Sequence, residues 1–330
     1  MQDRSQAGFS RWQMAAALAA GGAGAVALAS WLGARLSGPA DSTIEAEERR
    51  FAWRHGEVTY KVKGRGAPVV LLHGISAGAS SFEYRRVFDP LARDYRVYAV
   101  DLLGFGQSQR PPLVYTPILY ETLILDFLTQ VVGAVDHPAF VIAANLSAAF
   151  TIRAVAERPS LVSRLVLIEP TGIETRVGPV APPAQRALLA LLRSPLIGQA
   201  IYQAITSRVG LRSYLRRIYA DPRAVTSKLV KTYYAQTHKA GARYPVASFV
   251  SGALDAPVRD LYGLLRMPIL LVWGQRARLV PLEQARAFRQ ANPRAETRVY
   301  DCGDLPQEEK AAEFARDVAA WLRAPIRSRR

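Results

Sequence analysis

The sequence predicts an α/β fold in which a mostly parallel sheet carries helices on both faces, with an inserted helical cap after the sixth strand and an N-terminal transmembrane helix. Three observations lead to this prediction. Short apolar runs alternate with helical patterns through most of the chain, as expected of parallel strands joined by crossover helices. Between LVLIEP and PILLVWG, about 100 residues instead form helical, arginine-rich segments. A run of 21 uncharged residues lies near the N-terminus.

The uncharged run spans residues 14–34. A helix of this length, at a rise of about 1.5 Å per residue, crosses a hydrocarbon core of about 30 Å. We therefore predict that residues 1–36 form a single-pass anchor, which places the protein at a membrane. A cleaved signal peptide is the alternative, because Arg4 and Arg11 precede the run. Arginines stand on both sides of the run, so the positive-inside rule does not assign the side of the membrane.

Residues 37–50 are predicted to be a linker, in which Ser42 and Glu45 form a capping box that opens a short charged helix. The α/β core follows. Its predicted strands are the runs GEVTYKVKG, PVVLLHG, YRVYAVD, FVIAA, RLVLIEP, PILLVWG and TRVYDC. Helical patterns in SSFEYRRVFDPLARD, YETLILDFLTQVVGAV and LSAAFTIRAVAERP separate the earlier strands. The predicted domains are therefore a core of residues 51–170 and 267–323, a cap of residues 171–266 and a basic tail of residues 324–330.

The charge of the chain is strongly positive and unevenly distributed. The formal net charge is +16, and 37 of the 43 basic residues are arginine. Residues 171–266 hold 14 basic and 4 acidic residues, so the cap is expected to face an anionic partner, either membrane lipid or an acidic protein. Nucleic acid is not predicted as a partner, because the cap has no recognised binding motif and no regular alternation of basic and aromatic residues.

The single cysteine, Cys302, excludes an internal disulfide bond and a CxxC metal or redox site. We predict no cofactor and no metal site.

Three blocks of the sequence resemble the α/β-hydrolase superfamily. They are LLHGISAGASSFEY, similar to the HG turn after the third strand, DLLGFGQSQRP, similar to the loop after the fourth, and YDCGDLPQEEKAAEFARDVAAWL, similar to the last strand, loop and helix. The resemblance covers residues 51–323 and implies the α/β-hydrolase fold. It also implies a nucleophile on a sharp strand-to-helix turn, a histidine that accepts its proton and an acid that orients the histidine.

All three of these positions differ from the family pattern. Counting back 14 positions from Pro159, as in family members, places Asn145 at the nucleophile position. Asparagine tolerates the positive φ of this turn, but its amide nitrogen is not a nucleophile. Asp304 stands where the family has its histidine, and Ala277 stands where it has its acid. Ser147 is the fallback nucleophile, although choosing it moves the reacting atom into the helix.

Other parts of the implied site remain. The main-chain N–H groups of Ile75 and Leu146 correspond to the oxyanion hole, and His73 and Gly74 belong to the turn that shapes it. Glu169 ends the sixth strand, where some family members keep an alternative acid.

Opposite charges enter the two altered loops. Arg276 and Arg278 flank Ala277, and we hypothesise that one of them forms an ion pair with Asp304 in place of the lost contact between acid and histidine.

These features predict a membrane-tethered α/β-hydrolase-like protein without serine-hydrolase activity, which binds a small apolar, amphipathic or acidic ligand or an anionic partner. The alternative is an active enzyme of this fold, a hydrolase or a lyase, that uses non-standard residues such as Asp304 as a general base. Whether the protein is an enzyme stays open at this point.

Overall fold

The computed structural model describes residues 44–173 and 182–325. The predicted anchor, half of the predicted linker (residues 37–43), residues 174–181 of the predicted cap and residues 326–330 of the basic tail lie outside these ranges. Within them, no single helix has both the length and the hydropathy that a membrane span requires. Helices Pro182–Arg193 and Ile197–Ile205 reach that criterion only as a pair, bent by 82°.

A twisted central sheet of eight strands organises the described residues. The strands are β1 (Glu47–Trp53), β2 (Gly56–Lys63), β3 (Pro68–Leu72), β4 (Arg96–Val100), β5 (Ala139–Ala144), β6 (Val162–Ile168), β7 (Ile269–Gly274) and β8 (Glu296–Tyr300). Their order is β1-β2-β4-β3-β5-β6-β7-β8. Strand β2 pairs antiparallel with β1 and β4, and the remaining pairs are parallel. The predicted α/β fold with a mostly parallel sheet is confirmed.

Helices cover both faces of this sheet. The core helices are α1 (Phe88–Ala92), α2 (Pro117–Asp126), α3 (Asn145–Glu157), α9 (Arg259–Leu264), α10 (Gln284–Ala291), α11 (Pro306–Glu309) and α12 (Ala311–Arg323). Because side chains alternate along a strand, Val70 and Leu72 of β3 pack in the apolar cluster under α2 and α3. Their neighbours Val69 and Leu71 pack in the opposite cluster, under α1 and α12.

The cap lies between β6 and β7. Its helices are α4 (Pro182–Arg193), α5 (Ile197–Ile205), α6 (Arg208–Ile218), α7 (Ser227–Thr237) and α8 (Arg243–Val250). The inner residues of α6 and α7, among them Leu215 and Tyr233, form an apolar cluster with Leu305 of the core. Arg85 and Glu308 form a buried ion pair (2.5 Å), and the hydroxyl of Tyr219 in the cap donates a hydrogen bond to Glu308. The cap is therefore held to the core by both apolar and charged contacts.

The sheet begins earlier than predicted. Where the sequence suggests a charged helix in the linker, Glu47–Trp53 forms edge strand β1, which pairs with β2 from Glu47↔Val62 to Trp53↔Gly56. The free edge of β2 needs a hydrogen-bonding partner, and this outweighs the local capping pattern. The charged residues of β1 are then exposed at the edge of the sheet, where charge discourages pairing with other chains.

Candidate active site

Asn145 occupies the sharp turn between β5 and α3. Its φ is +48°, the left-handed conformation expected at this turn. The side chain lies over the loop after β3, since a Cβ added to Gly74 would come within 2.7 Å of Asn145 Oδ1. Asn145 Nδ2 donates a long hydrogen bond of 3.5 Å to the carbonyl of Glu169. The carboxamide therefore occupies the nucleophile position and contacts other residues of the protein.

Ser147, the fallback nucleophile, is fully buried in the first turn of α3. Its Oγ donates to the main-chain carbonyl of His73 at 2.5 Å, and not to the imidazole ring. Both ring nitrogens of His73 have main-chain partners, because Leu102 N–H donates to Nε2 (3.1 Å) and Nδ1 donates to Gly74 O (2.7 Å). Burial lowers the pKa of His73, so the ring stays neutral. This hydroxyl and this imidazole therefore do not form a nucleophile and base pair.

Asp304 links the two loops in which the family keeps its histidine and its acid. The side chain is 2% exposed and accepts hydrogen bonds from the main-chain N–H groups of Arg278 (3.0 Å), Leu279 (2.7 Å) and Val280 (3.4 Å). The hypothesis that an arginine side chain pairs with Asp304 is wrong. Arg276 pairs with Asp301 at the surface (3.0 Å), because a guanidinium stays hydrated there while the loop amides point inward.

Ala277 stands in the same loop and is partly buried against the apolar core. Its methyl group provides no acid.

Glu169 is completely buried beside Asp304. Its φ is +45°, and its Oε1 accepts from Gly274 N–H at 3.0 Å. Burial and the neighbouring Asp304 carboxylate raise the pKa of Glu169 well above its usual range, because both disfavour the charged form.

Two functional candidates that the sequence did not reveal, Glu83 and Tyr214, lie beside the loop after β3. Gly74 N–H donates to Glu83 Oε2 at 3.2 Å, and burial raises the pKa of Glu83 to about 8. The phenol of Tyr214, from cap helix α6, hydrogen-bonds Ser76 and is also close enough to Glu83 for their charges to interact. The sequence feature that could have indicated Glu83 is an acidic residue between the two aromatic residues of SSFEY. Tyr214 has none, because only the folding of the cap brings it here.

The two N–H groups that the family resemblance assigns to an oxyanion hole are those of Leu146 and Ile75. Leu146 is the second residue of α3, so its N–H is among those that a helix leaves without an internal partner. Ile75 follows the HG turn, and its N–H has no hydrogen-bond acceptor within the described part of the chain. The two amides are therefore available to an external carbonyl or carboxylate oxygen.

A small cavity lies between this loop and the cap. Its volume is about 10 Å³, room for about one water molecule, and its lining includes Gly78, Phe105, Arg110, Tyr202 and Gln236. In residues 44–173 and 182–325, no hydrogen-bond partner is present for buried Arg110 Nε or Gln236 Oε1.

A second cation lies beside Arg110. Lys239 Nζ donates to Gly106 O (2.9 Å) and Gln107 Oε1 (2.6 Å), and Arg110 donates to the same Gly106 carbonyl. Burial and the charge of Arg110 lower the pKa of Lys239 to about 8. Asp101 interacts with both cations, and Glu48 also interacts with Lys239. Carboxylates therefore offset part of the positive charge at this corner of the cleft.

Metal binding has no evident site in the described ranges, which hold no group of three or more histidine, cysteine, aspartate or glutamate side chains arranged to bind an ion.

Comparisons with known proteins agree with the fold. The chain is 27% identical over 300 residues to the 2-hydroxy-6-oxo-2,4-heptadienoate hydrolase of Pseudomonas putida, covering 86% of this chain and 99% of that enzyme. It is 25% identical over 293 residues to an uncharacterised protein of Mycobacterium tuberculosis, covering 83% and 80%. It resembles the structure of a serine-to-alanine mutant of the meta-cleavage product hydrolase from Pseudomonas fluorescens IP01, with acetates bound, at a TM-score of 0.71 and 21% identity, covering 86% and 98%. A model of the alpha/beta hydrolase fold matches residues 67–311, well over half of the sequence, and the chain therefore belongs to the alpha/beta hydrolase fold family.

Proposed function

We propose that this protein binds a small oxo acid beneath its cap and does not cleave it through a serine nucleophile. One observation carries the proposal. Ser147, Asp304 and one carboxyl oxygen of Glu169 are hydrogen-bonded to the protein itself, while Arg110 Nε in the adjacent cavity has no partner among the described residues.

The lack of serine chemistry follows from the groups available. Acyl transfer through a serine needs a hydroxyl whose proton an adjacent base removes. Asn145 has no hydroxyl, and the Ser147 hydroxyl donates to the main-chain carbonyl of His73 in the loop after β3. Asp304 accepts hydrogen bonds from three main-chain amides, and burial raises the pKa of Glu169. No pair of these groups matches the required geometry.

An oxo acid suits the charges of the cleft. The amides of Ile75 and Leu146 can donate hydrogen bonds to a carbonyl oxygen, and the cations Arg110 and Lys239 can bind a carboxylate. The Pseudomonas putida relative is named for an oxo acid, 2-hydroxy-6-oxo-2,4-heptadienoate. The Pseudomonas fluorescens structure holds acetates in a mutant that has exchanged a serine for alanine. Both support a carboxylate ligand for this chain.

Two measurements test this proposal. A fluorophosphonate probe should not label the full-length protein, nor its Asn145→Ser variant, since the new hydroxyl has no base beside it. Acetate should raise the melting temperature more than acetamide at matched ionic strength. Arg110→Met should abolish that difference, while Arg65→Met, at an exposed arginine of the core, should preserve it. Stoichiometric labelling of the wild type, or equal responses to acetate and acetamide, would refute the proposal.

A second candidate is an enzyme that turns over such an acid by acid and base catalysis without a covalent intermediate. The relatives favour this candidate, since several are named hydrolases. Glu83 is the group best suited to the role, because a carboxyl with a pKa of about 8 beside the oxyanion loop can exchange protons near neutral pH. Turnover of 2-hydroxy-6-oxo-2,4-heptadienoate that Glu83→Gln abolishes and Asp304→Asn retains would establish it. No turnover in the wild type would exclude that substrate.

Membrane tethering by residues 1–36 is also part of the proposal, supported by the uncharged run. Replacing Val26 and Leu28 by arginine should make the run too polar to insert and should release the full-length protein from membranes in alkaline carbonate. Retention of this variant in the membrane fraction would contradict tethering by that run.

A further inference from the structure

The cap carries a group of large apolar side chains that face solvent. Leu196 and Val209 are 82% and 80% exposed, and Ile197, Ile205 and Leu191 are 57%, 54% and 42% exposed. Isolated exposed apolar residues are ordinary, but these five fall within 19 residues of the sequence, 191 to 209. A concentration of this kind marks an interaction surface.

The five side chains lie at one corner of the cap. Leu191 ends α4, and Leu196 and Ile197 form the vertex where α4 and α5 meet at 82°. Ile205 ends α5 and Val209 begins α6, and each of these helices contacts the next. We call these five residues the apolar corner. The other side of α5 is buried, since Tyr202 faces the cavity beneath the cap, so the corner is an outward surface of a folded element.

Arginines without acidic partners are close in sequence to the apolar corner. No aspartate or glutamate occurs from residue 182 to residue 220, a stretch that contains six arginines: Arg186, Arg193, Arg208, Arg212, Arg216 and Arg217. None of the six forms a salt bridge within the described residues. Arg216 and Arg217 are exposed in the last turn of α6, about 10 to 12 Å along that helix from Val209 at 1.5 Å per residue.

We propose that the apolar corner and the arginines of α6 dock on an anionic phospholipid surface. Apolar side chains flanked by cations match the acyl boundary and the phosphate layer of such a membrane. A second copy of the chain fits less well, because two arginine-rich faces would oppose each other. A nucleic acid offers phosphates but no apolar layer for the corner. The proposal does not depend on ligand binding in the cleft or on the identity of the anchor.

A local fluorescence measurement separates docking of the cap from attachment by residues 1–36. Cys302 is buried, so an environment-sensitive dye reacts selectively with a cysteine introduced as Leu196→Cys in the full-length protein. Vesicles that contain phosphatidylglycerol should shift the emission to the blue, and added salt should reverse the shift. Vesicles of phosphatidylcholine alone should not cause it. The same dye at Val135→Cys, a position 63% exposed in the loop before β5, should not respond.

Variants at charged positions test the electrostatic part. Arg216→Gln with Arg217→Gln should raise the phosphatidylglycerol concentration needed for half of the blue shift by roughly fivefold or more, given the attraction of each basic residue to an anionic surface. Arg289→Gln with Arg294→Gln, two exposed arginines of the core, should leave it unchanged. The proposal is overturned by an equal shift with phosphatidylcholine, by an equal shift at Val135, or by a lipid-independent shift that grows with protein concentration, which would indicate a second copy.

Discussion

The floor of the cleft and the outer face of the cap differ in the burial and the bonding partners of their side chains. On the floor, Asp304, Ser147 and His73 are buried, and their polar groups bond to the main chain. On the cap face, Leu196 is exposed and Arg216 has no ion-pair partner in the described part of the chain. Buried polar groups require internal partners, whereas an exposed apolar surface indicates an external one. The contrast supports the two proposals that the protein interacts through its cleft and through the surface of its cap.

The largest effect on stability is expected for Asp304→Ala, which tests whether this side chain stabilises the floor of the cleft. This change leaves the main-chain N–H groups of Arg278, Leu279 and Val280 without an acceptor. We expect the free energy of unfolding to fall by about 3–5 kcal/mol, measured by urea denaturation.

Matched variants separate the hydrogen bonds from the charge. Asp304→Asn keeps an acceptor oxygen and should cost less, about 1–2 kcal/mol. Arg276→Gln removes a surface ion pair and should cost under about 0.5 kcal/mol. If Asp304→Ala unfolds at the same urea concentration as the wild type, the hydrogen bonds of this side chain do not stabilise the protein.

Glu83 provides a pH-dependent test. The pKa of Glu83 is about 8 in the folded protein, above its ordinary 4.5, so the folded state holds this proton more tightly than the unfolded state. Stability is therefore lost as pH rises from about 4.5 to about 8. Glu83→Gln is neutral at every pH, and its stability relative to the wild type should increase over this window by about 2–4 kcal/mol.

The measurement is urea denaturation of both proteins at several pH values from 4.5 to 9. Glu313→Gln, at an exposed glutamate of α12, controls for the loss of one negative charge. A constant difference between wild type and Glu83→Gln across this range would show that Glu83 does not hold a proton in the folded protein.

Substitutions of Asn145 should have the smallest effect on the melting temperature. Its φ of +48° costs an alanine about 1 kcal/mol, and glycine adopts it freely. Asn145→Ala should therefore lower the melting temperature more than Asn145→Gly does. Equal melting of the two variants would mean that the amide side chain, and not the backbone conformation, determines the residue at this turn.

Much of the fold was predictable from local patterns. Buried parallel strands are continuous apolar runs, so PVVLL and ILLVWG stand out without knowledge of their neighbours. Strand β1 was not predictable in this way, because EERRFAW is mostly charged and becomes a strand only by pairing with the edge of β2. Similarly, Glu83 is a candidate because the fold buries it against Gly74.

The sequence by itself determined the family, the order of the strands' apolar runs, the substitutions at Asn145, Ala277 and Asp304, and the positive charge of the cap. These properties depend on residue type and spacing, which the chain carries in any conformation. Only the tertiary structure decided that Asp304 bonds to loop amides and not to an arginine, and that Leu196 and its neighbours face solvent. Hydrogen-bond partners and exposure are relations between segments distant in sequence, and folding alone brings those segments together.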